Sequence, residues 1–154
     1  MGGYTSASGV NGINILYRID TTTTNAGFAA TDSGDLLQAG RAFTASTGGY
    51  DNEEIGNIAG GYNGSQYIDN IQYLDLATAT SDAEDKGDIN RARGWAALQS
   101  GDDNFVLRMG HDGGSMDGCE YWDITTGTVN GNDRGADEVS CHGPGSGAGY
   151  SGFG

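Results

Sequence analysis

The chain repeats itself. Ile15 to Phe43 reads ILYRIDTTTTNAGFAATDSGDLLQAGRAF, and Ile71 to Trp95 reads IQYLDLATATSDAEDKGDINRARGW. Each copy places an apolar residue two before a Tyr and follows it with an apolar/Asp alternation and a Thr/Ala run. Each then crosses an acidic, loop-like segment to Gly-Asp-(Leu/Ile) and an Arg a few residues later. Internal repetition constrains folding more than any single motif, because one unit cannot bury its apolar face alone and must stack on its neighbours.

Three anchors recur. The first is a Tyr with alternating residues: Tyr17-Arg18-Ile19-Asp20, Tyr73-Leu74-Asp75-Leu76 and Tyr121-Trp122-Asp123-Ile124. Period-2 alternation predicts a strand with one buried face. The second is an Arg before small or aromatic residues: Arg41-Ala42-Phe43, Arg93-Gly94-Trp95 and, more degraded, Arg134-Gly135-Ala136. The third is an apolar approach to glycine with a polar hairpin behind it, NIAGGYNG from Asn57 and LRMGHDGG from Leu107. Met1-Gly2-Gly3-Tyr4 reads as the end of the same element.

The Tyr anchors are 56 and 48 residues apart. Periods near 50 belong to propeller blades of the kelch type, and no 3.6-residue periodicity points to helical repeats. The prediction is an all-β fold of kelch-like β-propeller blades: a single repeat domain over 1–154, with blades over 1–56, 57–106 and 107–154. A blade has four antiparallel strands. Those expected are one into the Gly pair, one at the Tyr motif, one after the Arg and one before the next Gly pair. Composition agrees, since 29 Gly, a single Pro and 36% hydrophobic residues suit a turn-rich β protein. The C-terminal GYSGFG and the N-terminal MGGYTS read as complementary halves of one blade. Three blades fall short of the usual four to eight, so self-association is expected, either as a two-chain ring or as a head-to-tail filament, unless these residues are an excerpt of a longer tandem array.

The repeats YRIDTTTTNAGFAATDSGDLLQAGRAF and YLDLATATSDAEDKGDINRARGWAAL resemble the kelch-like repeats of bacteriophage tail-fibre proteins. There a Gly pair precedes the Tyr strand, and Asp-Phe-Gly-Asp-Leu and an Arg follow it. Gly34-Asp35-Leu36 with Arg41, and Gly87-Asp88-Ile89 with Arg91 or Arg93, carry the likeness; the third copy keeps Tyr121, Asp123 and Ile124 but lacks Gly-Asp-Leu. The resemblance implies a non-enzymatic, structural and adhesive component of a tail fibre or extracellular appendage. Such a protein is extracellular or in the virion, and its loops contact a receptor or a neighbouring subunit. It implies no catalytic residues. A self-assembling extracellular filament subunit and a carbohydrate-binding propeller are the rival readings.

Seven Lys+Arg against 21 Asp+Glu give a formal charge of −14. Phosphate binding needs clustered cations, so nucleic acid is not expected as a partner. Short, interrupted apolar stretches predict no membrane insertion. His111, Cys119, Cys141 and His142 are too scattered for a zinc site. No cofactor is expected. Asp/Asn/Gly loops such as GHDGGSMDG and NGNDRGADE are candidates for structural calcium, but those residues are equally ordinary turn formers. Cys119 and Cys141 are candidates for one disulfide, and Asn63-Gly64-Ser65 is a glycosylation sequon in a hairpin. Tyr17, Asp20, Arg41, Tyr73, Asp75, Arg93, Tyr121, Asp123 and Arg134 are read as repeat framework, the arginines as ion-pair partners between strands or blades. Trp95, Trp122, Tyr50, Tyr62 and Tyr67 are candidates for stacking on sugars.

Overall fold

The computed structural model describes residues 13–18, 30–40, 44–50, 53–78, 80–100, 104–123 and 128–141. Among these the chain forms ten strands and no helix. β1 (Ile13–Arg18) and β2 (Thr31–Gly40) pair as one antiparallel sheet. β3 (Thr44–Tyr50), β4 (Glu53–Ala59), β5 (Asn70–Asp75) and β6 (Glu84–Asp88) make a second, in that order. β7 (Ala97–Ser100), β8 (Asn104–His111), β9 (Ser115–Asp123) and β10 (Asn132–Cys141) make a third, also in chain order. Each of the larger sheets is a meander whose successive strands pair antiparallel, as short polar connections allow.

The all-β reading holds, with two differences in detail. The acidic segment before Gly-Asp-(Leu/Ile) is not a loop throughout: it forms β2 in the first repeat and β6 in the second. Both strands rest on register to the Tyr strand beside them and so form despite poor β-propensity. The expected unit boundaries at 56/57 and 106/107 fall inside β4 and β8. The middle sheet instead begins at the strand after Arg41 and ends on the Gly87-Asp88 element. Asp20 and Arg41 lie outside the described residues, as do residues 1–12 and 142–154 of the expected end-to-end pairing.

Alternation explains the packing. In the middle sheet, Ala59, Ile71 and Tyr73 face the third sheet and join Ile89, Ala96, Leu98, Phe105, Leu107, Trp122 and Val129 in one buried cluster. Ile58 and Leu74, one residue out of step, face the first sheet and pack with Leu16, Leu36 and Ala83. The sheets are therefore stacked in chain order, and the middle one is covered on both faces. Each fully buried Leu, Ile or Phe contributes about 1.5–3 kcal/mol relative to exposure. Tyr73 is pushed up to about 12 by burial and then by the charge of Asp123.

The same hydrogen bonds join each sheet to the next. Ser81 N–H donates to Ser33 O and Ala83 N–H to Asp35 O, both at 2.8 Å. One repeat later, Val129 N–H donates to Lys86 O at 2.6 Å and Gly131 N–H to Asp88 O at 2.8 Å. The middle residue of each tripeptide caps the strand it meets. Asp82 Oδ1 accepts from Asp35 N–H at 2.9 Å, and Asn130 Oδ1 accepts from Asp88 N–H at 3.1 Å. Between the paired residues lie Gly34 and Gly87, with φ of 134° and 136°. A Cβ on either would collide with the backbone oxygen of Ser81 or Val129. The recurring Gly-Asp-(Leu/Ile) is thus the seat on which the next repeat docks.

A candidate aromatic platform between two sheets

Between β4 and β5 the chain turns through a hairpin in which Tyr62 and Tyr67 face each other across an isolated bridge. Asn63 holds the tip, its Oδ1 accepting from the N–H groups of Ser65 and Gln66, both at 2.9 Å. The residue of the expected sequon therefore has a structural task as an Asx turn. The two rings stand 5.1 Å apart between centroids.

Trp95 is brought to them by the link between the middle and third sheets. Arg93 O accepts from Gly61 N–H at 2.7 Å, and Gly94 pairs with His111 through two backbone bonds of 2.9 Å. This clamp carries Trp95 into the left-handed region at φ 52°, which a bulky side chain adopts only when its surroundings enforce it. Trp95 is 37% exposed. It stacks 6.3 Å from Tyr62 and lies edge-on to Tyr67 at 6.2 Å. His111 closes the group, 5.8 Å from Trp95 and 5.7 Å from Tyr67. Tyr67 Oη is 2.6 Å from His111 Nδ1, and Gly113 N–H points at the same nitrogen from 3.3 Å. Two donors on Nδ1 make it the acceptor and leave the ring hydrogen on Nε2. Burial raises the Tyr67 phenol above its usual range, with Tyr62 and Asp112 adding to the rise, so its hydroxyl stays a donor at neutral pH.

Arg93 anchors the platform from below. Its side chain is 2% exposed and forms an ion pair with Glu120 on β9. It also donates to the carbonyls of Arg91, Met109 and Gly118. Glu120 uses its other oxygen on the N–H of Asn90 at 2.7 Å. Gln72, at the matching place in the preceding repeat, accepts from Leu37 N–H at 2.9 Å. Burial, and then the positive charge of Arg91, lowers the Arg93 pKa. The Arg93 ion pair joins the link between β6 and β7 to β9. Arg134 does something else: its guanidinium lies 4.1 Å over the ring of Tyr121 and remains exposed.

Other candidate residues take separate places. Asp75 caps the exit from β5, accepting from the N–H groups of Ala77 and Thr78 and from the Thr78 hydroxyl. These bonds, the hydroxyl's first, lower its pKa. The Asp123 carbonyl accepts from the Tyr73 hydroxyl at 3.4 Å. Tyr17 is 52% exposed, and its register explains why: Tyr17 pairs with Asp32 as Gln72 pairs with Asp85, one step away from the position of Tyr73. Trp122 is fully buried and belongs to the core, not to a sugar-stacking surface. The side chain of Tyr50 lies outside the described residues.

The cysteines occupy neighbouring strands, with Cys119 opposite Gly135 and Cys141 opposite Met116. Three residues of strand between those rungs amount to about 10 Å, whereas a disulfide needs Cα atoms within roughly 7 Å. This register argues against the expected bridge. Among the described residues no three His, Cys, Asp or Glu side chains gather where they would hold a metal ion. In the loop considered for calcium, Asp112 pairs with Arg91, and in the next one Asp133 caps Gly135 N–H at 2.7 Å.

The aromatic cluster was only half legible in sequence. Trp95, Tyr62 and Tyr67 are the expected aromatics, but His111 drew notice only as a metal ligand. Aligning the glycine elements, Gly60-Gly61-Tyr62 with Met109-Gly110-His111, puts His111 where Tyr62 stands one repeat earlier. The backbone repeats too, with φ of 63° and 125° at the first pair and 58° and 120° at the second. No protein-family profile matches the chain, and no curated protein is significantly similar to it.

Proposed function

We propose that this protein is a non-enzymatic adhesive module whose aromatic platform binds a neutral sugar on a receptor surface. The reading joins the carbohydrate-binding alternative to the tail-fibre or appendage role that the repeat resemblance implies, at an extracellular or virion location. Its three sheets are taken as kelch-like blades of a propeller. The observation that carries the reading is Trp95, exposed and held in a left-handed conformation beside two tyrosines and a histidine. Strain of this kind is retained where the surrounding structure overdetermines it, and it clusters at binding sites. An aromatic face suits the apolar face of a sugar ring, and Tyr67, His111 and Asn63 place polar atoms at its margin. The net charge of −14 disfavours anionic ligands, which leaves neutral glycans.

The test is a glycan array followed by titration calorimetry on the best hit. Trp95→Ala is expected to weaken binding at least ten-fold while leaving the thermal melt near that of the parent. Retained affinity in that variant, or an array without a saturable hit, would sink the proposal.

A further inference from the structure

Asn-Gly stands at residues 11–12, 63–64 and 130–131, and the fold treats the two described copies differently. A glycine after an asparagine leaves its backbone nitrogen open to approach by the side-chain amide, because no Cβ stands in the way. At Asn130-Gly131 that nitrogen is engaged: Gly131 N–H donates to Asp88 O at 2.8 Å. Gly131 is buried as well, with Ile89 Cα and Asn90 N only 3.2 and 3.4 Å from where a Cβ would stand. The Asn130 amide is turned toward the preceding repeat, its Oδ1 accepting from Asp88 N–H at 3.1 Å. The junction between sheets therefore holds this dipeptide still.

Asn63 is arranged in the opposite way. Its Oδ1 accepts from Ser65 N–H and Gln66 N–H, both at 2.9 Å, which folds the side-chain amide back over the Gly64 peptide. Two N–H groups on one carbonyl oxygen draw electrons from Cγ. Their distance falls in the range of about 2.7–3.1 Å at which donors stabilise an oxyanion. Gly64 has φ of 100°, and among the described residues nothing accepts from its N–H. Ser65 and Gln66 are exposed, so solvent reaches the hairpin tip. The Tyr62 hydroxyl donates to Gly64 O at 3.0 Å and ties that tip to the aromatic platform.

We infer that Asn63 is a site of self-modification, where the chain deamidates through a cyclic imide and the hairpin itself supplies the oxyanion donors. The Gly64 nitrogen, its proton lost to hydroxide, adds to Asn63 Cγ. Ser65 N–H and Gln66 N–H hold the charge that develops on Oδ1. The Cγ–Nδ2 bond then breaks, and the nitrogen takes a proton from water and leaves as ammonia. Water opens the imide at either carbonyl, giving aspartate or isoaspartate. One water enters and one ammonia leaves, with no change of oxidation state. Isoaspartate puts an extra methylene into the main chain between Tyr62 and Tyr67 and a carboxylate beside the platform. The inference is independent of the sugar reading: conversion in a protein that binds no glycan, or a stable Asn63 in one that does, separates the two.

The test compares the two dipeptides within one molecule. The full-length chain is incubated at mildly alkaline pH, folded in one sample and in urea in the other. Digestion in acid and peptide mass mapping then follow Asn63 and Asn130 over time, with isoaspartyl methyltransferase marking the isoaspartate product. In the folded protein Asn63 is expected to convert at least ten-fold faster than Asn130, and no slower than it does in urea. In urea, where both dipeptides lose their surroundings, the two rates should come within about three-fold. Equal rates at Asn63 and Asn130 in the folded protein overturn the inference. So does an Asn63 that converts ten-fold faster in urea than in the fold, which would show that the Asx turn locks the amide instead of activating it.

Discussion

Arg93 is the residue on which most of the local geometry converges. Its guanidinium satisfies three backbone carbonyls and Glu120 at once, and its own carbonyl holds Gly61. A buried pair of this sort need not be more stable than apolar residues of the same volume, but breaking one side leaves an uncompensated charge. Arg93→Met should therefore lower the unfolding free energy by about 3–5 kcal/mol, read from urea denaturation. The double variant with Glu120→Leu should recover a good part of the loss, because it removes the orphaned carboxylate. A single variant within 1 kcal/mol of the parent would show that the pair does not hold this junction. Met109 makes a related point: its left-handed backbone, unfavourable for its side chain, occupies the place that Gly60 takes in the preceding repeat.

At the scale of the element, the glycine of the Gly-Asp seat separates docking from strand conformation. Gly34 and Gly87 have both a positive φ and the next repeat's backbone upon them, whereas Gly135 has the positive φ alone among described residues. Alanine at Gly135 should cost only the backbone strain, about 1–3 kcal/mol. Alanine at Gly34 or Gly87 should cost at least about 2 kcal/mol more, since the collision also displaces two backbone hydrogen bonds. The comparison is best made by denaturant unfolding of dilute protein, where copies are not in contact. Equal losses at all three positions would mean that the seat is not where repeats are joined.

For the whole molecule the controlling quantity is charge. Two chains of −14 each repel at long range. Association should therefore strengthen as ionic strength rises from about 20 to 300 mM, because the screening length contracts below about 10 Å above 0.1 M. Weakening over that range would instead indicate an ion-paired interface. A closed assembly stops at a fixed number of copies, and a two-chain ring is the expected one. An open assembly grows with concentration, so the same light-scattering series distinguishes a ring from a filament.

The sequence alone determined the all-β class and the strands at Tyr73 and Tyr121. Apolar/polar alternation at Tyr73 and Tyr121 needs only local chemistry to be read, because side chains on a strand alternate faces whatever lies beyond. The acidic composition is equally local, as is the turn chemistry of Asn63. Tertiary structure decided the rest. Tyr17 looked equivalent to Tyr73 by spacing, yet a one-residue offset in pairing places it outside, and such an offset is invisible until two strands meet. Glu84 to Asp88 became a strand because β5 offered it a ladder, and Arg134, read in sequence as the counterpart of Arg93, takes by register the place of Lys86, over the ring of Tyr121 as Lys86 is over that of Tyr73. The aromatic platform needed two hairpins about 50 residues apart to be stacked side by side, and the role of Gly-Asp-(Leu/Ile) appeared only when the next repeat was seen resting on it. Contacts between repeats depend on how faces are brought together in space, which no single stretch of chain encodes.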